Sequence, residues 1–332
     1  MSGALRKGFK PRDLIWPVIG LLAVAVSAWL LYKEVRGLSL DDVIESLEAI
    51  SGHEWMLAAG GTLVAYTALA LYDALALQHL ERKLPWRFIA LCSFTTYALA
   101  HNFGASVLSG AVVRYRAYTS QGLSAAEVGV LVALCSFTFV LGTVLLSGFV
   151  LLIVPEIAER LSDHLPIEAA RGMGIAMLAL VLLYVFGSWL HLKPWKIGSF
   201  QLVYPRLPIV MRQLIIAPLE LIGAASIIYF ALPAEGNPGF LIVLGIFLAS
   251  FSVALLSHAP GGLGVLEVVF LAGLPDMRPA DVIAALLVFR LFYLIIPFAL
   301  SLVVVLLFEH SQFARHWAEK TPKSGDESTA SG

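Results

Sequence analysis

Apolar residues in this chain come in blocks rather than in alternation with polar ones. One block, LIWPVIGLLAVAVSAWLLY, follows the basic residues Arg6, Lys7, Lys10 and Arg12. Others lie near 55–78, 88–108, 126–154, 173–192, 213–233, 239–257 and 282–308, and a shorter one covers 265–274. A helix needs about 20 apolar residues to cross a hydrocarbon core of ~30 Å. The first block, despite basic flanks and an AVSA that imitates a cleavage site, is long enough to predict an uncleaved first span. Between the first two blocks, Leu40, Val43, Ile44, Leu47 and Ile50 fall at helical spacing in GLSLDDVIESLEAI. That pattern predicts an amphipathic helix lying on the membrane surface. The polar tail TPKSGDESTASG predicts disorder.

Composition and charge then decide how the blocks are threaded. The chain is 59% hydrophobic and 14% charged, where soluble domains hold about 45–50% and 25%. The fold class is therefore an all-α polytopic membrane protein. If every block crossed once, the basic loop 193–212 (Lys193, Lys196, Arg206, Arg212) would face outward and the acidic loop 155–171 inward. That opposes the excess of Lys and Arg expected on the cytoplasmic side. Letting 88–118 and 239–275 dip in and return without crossing removes the conflict. Only Lys33, Arg36, Arg160, Arg171 and Arg278 then lie outside, and Arg290 lies within a span. The expected organisation is a cytoplasmic segment 1–12, a transmembrane domain 13–310 with about six spans and two re-entrant hairpins, and a cytoplasmic tail 311–332. Both termini are expected in the cytoplasm of a bacterial inner membrane.

An internal similarity supports the same threading. LAHNFGASVLSGAVVRYRAY followed by LSAAEVGVLVALCSFTFVLG parallels LLSHAPGGLGVLEVVFLA followed by RPADVIAALLVFRLFYLIIP. Each unit runs from an apolar stretch to a histidine (His101, His258), glycine-broken sequence, an acid after alanine (Glu127, Asp281) and a long apolar helix. Entering from opposite faces, the two units form an inverted repeat, an arrangement that places broken helices at a transporter's midplane site.

HAPGGLGVLE is the sharpest break. Non-helical backbone at membrane depth is tolerated only where protein buries it or a watery cavity meets it. Gly261, Gly262 and Gly264 are expected to end one half-helix and start another, with N–H groups available to an anion. Asp73, Glu220, Glu267 and Arg290 fall inside predicted spans, at about 2.5–3.5 kcal/mol each on insertion scales, so each is expected to face the protein interior or water. Glu220 and Arg290 sit at similar depths and are expected to be within reach of each other. Asp73 lies near the cytoplasmic end, where solvation competes with a functional role. In RYRAY, Arg114 and Arg116 suit a phosphate, because the planar guanidinium donates in pairs; an ordinary charged anchor is the competing reading. The histidines are expected to be structural, and Cys92 and Cys135 to be small buried hydrophobes. HExxH, GxxxxGK[ST] and GxSxG do not occur. No cofactor, metal or nucleic-acid partner is implied.

LYDALALQHLERKLPWRFIALCSFTTYALAHNFGASVLSGAVVRYRAYTSQGLSAAEVGV and HAPGGLGVLE together resemble the membrane flippase domain of the bifunctional lysylphosphatidylglycerol flippase/synthases and its stand-alone relatives. The likeness runs from about residue 10 to 310. It implies a domain that moves an aminoacylated phospholipid between leaflets, without the family's separate synthase domain. Arg114, Arg116 and Glu267 fall in its motif blocks. The expected function is thus a phospholipid flippase and not an enzyme. Its expected partners are a membrane phospholipid, a separate lipid-modifying synthase and a second copy of the chain. The alternative is a non-transporting partner or regulator of an envelope-lipid enzyme, which would tolerate changes at Glu267.

Overall fold

A computed structural model describes residues 39–102, 106–161, 166–190, 195–197, 200–202, 204–257 and 260–307. The segment 1–12, the first apolar block, His258 and the tail 311–332 lie outside the described residues. The helices are α1 (Leu40–Glu48), α2 (Gly52–His79), α3 (Trp86–Asn102), α4 (Ser106–Thr119), α5 (Ala125–Ile153), α6 (Ile157–Leu161), α7 (Ile167–Trp189), α8 (Leu207–Ala231), α9 (Phe240–Ser257), α10 (Val265–Gly273) and α11 (Pro279–Phe289). A π-helical turn, Arg290–Ile295, continues α11, and the whole stretch Pro279–Leu307 forms one span. With α2, α5, α7 and α8 it makes five helices, among the described residues, long and apolar enough to cross a bilayer. The basic loop carries something the hydropathy pattern did not foretell, an antiparallel ribbon of β1 (Trp195–Ile197) and β2 (Phe200–Leu202).

Local sequence sets where these helices begin. At α1, α2 and α5 a serine and an acid three residues on bond each other's backbone N–H: Ser39 with Asp42, Ser51 with Glu54, Ser124 with Glu127. This reciprocal cap satisfies two of the N–H groups that a helix start leaves open. Pro208 and Pro279 sit in the first turn of α8 and α11, where the missing N–H costs nothing. The surface helix α1 is partly held by protein. It packs on α11, and its buried Ser46 donates to Asp281 at 2.9 Å.

The centre of the bundle is the pair α2–α8. Gly61 and Gly223 face each other so closely that a methyl on either would lie 2.7 Å from the other's carbonyl oxygen. Small residues of this kind let membrane helices approach and gain van der Waals contact, which is what drives their association in lipid. Further along, the Tyr72 hydroxyl donates to the Ala217 carbonyl at 2.7 Å, and Arg212 donates to Gln78 at 2.7 Å. As residue numbers rise on α2 they fall on α8, so the helices are antiparallel. The C-terminal ends of α2 and α8 therefore lie at opposite faces of the membrane.

Each of those ends feeds a broken helix pair. After α2, α3 and α4 fold back on one another: Phe88 meets Tyr118, and Tyr97 meets Arg114. After α8, α9 and α10 do the same, with Gly262 against Ala254 and Gly273 against Ile246. Helix pairs thus fold back on themselves within the two ranges expected as hairpins, 88–118 and 239–275, and they start from opposite ends of the α2–α8 pair. Their tips converge on the π-turn. Asn102, at the end of α3, donates to the Leu294 carbonyl at 3.2 Å, while Arg290 donates to the Gly261 carbonyl at 2.9 Å.

Candidate functional site: two ion pairs and a lone acid along the hairpins

From the base of the first hairpin to the point where the two hairpins meet, the span-buried charges sort into two ion pairs and one remaining acid. The first pair fixes α4 to α2. Arg114 donates through Nη2 to Asp73 Oδ1 at 2.6 Å and through Nε to Oδ2 at 3.3 Å. Tyr118 donates to Asp73 Oδ2 at 2.7 Å, and the Cys135 thiol to Oδ1 at 3.3 Å. The guanidinium carbon lies 4.6 Å from the centre of the Tyr97 ring, within cation–π range. Asp73 is fully buried, so its carboxylate is tolerable only with this full set of donors. It is not the solvated or snorkelling group its position near a helix end allowed. Arg114, expected to offer its fork to phosphate, has that fork occupied by Asp73. Arg116, two residues on, is exposed, outside this pair.

The second pair fixes α10 to the π-turn. Arg290 donates to Glu267 Oε1 through Nη2 at 2.5 Å and Nε at 3.0 Å, and its Nη1 takes the Gly261 carbonyl. The other carboxylate oxygen, Oε2, accepts the Gly264 N–H at 2.8 Å. The glycines make this possible. Gly261 (φ 58°), Gly262 (φ 65°) and Gly264 (φ 79°) are all left-handed, a region where a side chain costs about 1–2 kcal/mol. The opened backbone was expected to present N–H groups to an anion. It does so at Gly264, and the anion is the chain's own Glu267.

Glu220 and Arg290, expected to be within pairing reach, do not pair. Similar depth did not fix direction: Arg290 turns toward the glycine tip, and Tyr293, three residues on, turns toward α8. The Tyr293 hydroxyl donates to Glu220 Oε1. Oε2 of Glu220 is buried with no hydrogen-bond partner. A buried carboxylate oxygen without a donor is costly, and such groups call for an explanation such as a water, an ion or a functional role.

Aromatic rings connect Glu220 to the Asp73–Arg114 pair, and the apolar pattern did not reveal them as a set. Tyr293 stacks on His101 at 4.9 Å and on Phe289 at 5.1 Å. His101 meets Tyr97, whose ring carries Arg114. Tyr66 lies 5.7 Å from Tyr293 and donates to its carbonyl at 2.9 Å. Tyrosine inside an apolar helix is a usable signal, since its hydroxyl needs a partner when buried. Three more buried polar atoms without partners lie on α3: Ser93 Oγ, Thr96 Oγ1 and His101 Nδ1. The acids of the internal repeat lie outside this junction. Glu127 caps α5 and pairs with Arg82 at 2.8 Å, and Asp281 pairs with Arg278 at 2.7 Å. No group of three or more His, Cys, Asp or Glu suited to a metal occurs among the described residues.

The family model described as the lysylphosphatidylglycerol synthase TM region matches residues 20–301. "Uncharacterized protein slr0712" of Synechocystis is 30% identical over 93% of this chain and 95% of its own length. "Inner membrane protein YbhN" of Escherichia coli is 32% identical over 76% of this chain and 79% of its own. A "Phosphatidylglycerol lysyltransferase" of Staphylococcus haemolyticus is 25% identical over 91% of this chain, which matches only 34% of that longer protein. The apolar helices and the inner-membrane relative make this a multi-pass bacterial inner-membrane protein.

Proposed function

Because the chain belongs to the lysylphosphatidylglycerol synthase transmembrane-region family, we propose that it carries a phospholipid between the leaflets of the inner membrane. The headgroup passes the hairpin junction while the acyl tails stay in lipid. The observation that carries this reading is Glu220 Oε2, a buried acceptor with no donor, set among tyrosines between two broken helices. An acid that lacks a donor there suits a cationic headgroup, such as an aminoacylated phosphatidylglycerol, better than a simple anionic one. Arg116 meets the lipid phosphate at the membrane face. Arg114 becomes a second phosphate fork only when its pair with Asp73 opens, and the Glu267–Arg290 pair holds the opposite gate.

In this reading the chain transports and does not catalyse. A separate synthase supplies the aminoacylated lipid, both termini are cytoplasmic, and the chain can work as a homo-oligomer. Reconstitution in liposomes with fluorescently labelled lysyl-phosphatidylglycerol tests it. The wild type should speed leaflet exchange well above protein-free vesicles. Glu220→Gln keeps an acceptor for Tyr293 but removes the charge, and should slow exchange about tenfold, a 1.4 kcal/mol loss. Exchange no faster than in protein-free vesicles would sink the reading and favour a non-transporting partner of a lipid enzyme. A wild-type rate in Glu220→Gln would remove Glu220 from the path.

A further inference from the structure

Away from the hairpin junction, a cleft of about 1170 Å³ runs between α5, α7 and the start of α8. It is larger than the roughly 300–1,000 Å³ of ordinary small-molecule sites. Its two ends differ in chemistry. One end is formed by the last residues of α2 and the turn into α8, including Gln78, Glu81, Tyr204 and Arg206. Arg206 is 80% exposed and donates to Glu81 at 3.2 Å. The rest of the wall is apolar and follows α5 from Val130 to Val144. Fourteen residues at 1.5 Å each give a length of about 21 Å, more than one leaflet's share of a core of ~30 Å.

The cleft is open at its side. Phe137, Val140 and Leu183, which line it, are 41%, 52% and 65% exposed on spans that face the bilayer. Inside, the polar groups are already settled. Tyr184 donates to Gln213 at 2.7 Å, and Gln213 donates to Thr138 at 2.8 Å. What the cleft offers an occupant is therefore an apolar slot whose rim carries Arg206 paired with Glu81, with Tyr204 beside them at the level where headgroups sit.

We infer that this cleft is a binding site for one glycerophospholipid of the leaflet on the side of the α3–α4 hairpin. One acyl chain lies along α5 between Phe137 and Leu183, and the phosphate lies against Arg206. The site does not rest on the transport reading. A lipid held here is resident whether or not the junction moves lipid, and Glu220 takes no part in it.

Photo-crosslinking tests the inference directly. Benzoylphenylalanine would be placed at Val140, in the cleft, and at Leu182, which is 67% exposed but is not part of the cleft wall. The full-length protein would be reconstituted in vesicles of equal parts phosphatidylglycerol and phosphatidylethanolamine, then extracted and washed with detergent before irradiation. Lipid adducts should survive the wash at Val140 and fall about tenfold lower at Leu182, the ratio that 1.4 kcal/mol of extra retention gives. Arg206→Glu should lower the Val140 adduct by several-fold at unchanged melting temperature. Leu183→Trp, which fills the slot without touching the rim, should do the same. Equal washing-out at both positions would overturn the site. So would a cross-link from Val140 to the chain's own first apolar block, which would make that segment the occupant.

Discussion

The two hairpins use one device, an acid paired to an arginine, but at different places along the arm. In the α3–α4 hairpin the pair sits toward the base, on the last turns of α2 and α4. Asp73 there is fully buried and takes donors from Arg114, Tyr118 and Cys135. In the α9–α10 hairpin the pair sits at the tip. Glu267 and Arg290 close directly on the glycine turn, through the Gly264 N–H and the Gly261 carbonyl. The first pair ties a return arm to its neighbour. The second also ties down the break. Glu220, on the helix that pairs with α2, belongs to neither and is left with an open oxygen.

The coarsest form of this comparison is that the hairpins enter from opposite faces, and it has an all-or-none test. Cys92 and Cys135 are buried, so background thiol labelling is low. Ser120→Cys, at the base of the first hairpin, and Asp276→Cys, at the base of the second, should react with impermeant maleimide from opposite sides of the membrane. Labelling of both from one side would break the inverted arrangement. Next in size is Asp73→Ala, which leaves Arg114 buried without its acid. Removing one partner of a buried pair costs about 3–5 kcal/mol, and a large drop in the melting temperature of the detergent-solubilised protein should follow. Adding Arg114→Met should restore most of it, since an apolar pair carries no stranded charge. If the double variant melts no higher than Asp73→Ala, the pair is not what holds this arm.

Glu267→Ala should cost less than Asp73→Ala, about 2–3 kcal/mol, because Arg290 keeps its bond to the Gly261 carbonyl. The same melting assay ranks the two. A larger loss for Glu267→Ala would reverse the order drawn from burial and donor count.

Much of this arrangement was legible in the residues. The spans follow from apolar length, and the fold-back of the two helix pairs from the placement of Lys and Arg. The partner of each buried charge was not legible. Depth along a straight helix can be counted, but the direction a side chain faces depends on packing and on the π-turn, which changes the rotation per residue at Arg290. That is why Glu220 and Arg290, matched in depth, go to different partners. Asp73 and Arg114 lie 41 positions apart and meet only because α4 folds back beside α2. An acid and an arginine inside the same face of a membrane protein usually find each other, so the signal for that pair was present, and the phosphate reading of RYRAY obscured it.

The finest test separates the tip from the base by backbone alone. Gly261→Ala and Gly264→Ala each put a side chain where φ is positive, and each should cost about 1–2 kcal/mol. Gly261→Ala also brings its methyl to 3.3 Å from Leu294, so that side chain must yield as well. Gly129→Ala is the control. It lies in α5 with ordinary helical backbone and nothing within 4 Å, so it should stabilise by about 0.5–1 kcal/mol. If the tip glycines tolerate alanine as well as Gly129 does, the left-handed turn is not what shapes the break. The Glu267–Arg290 clamp would then hold the tip by its side chains alone.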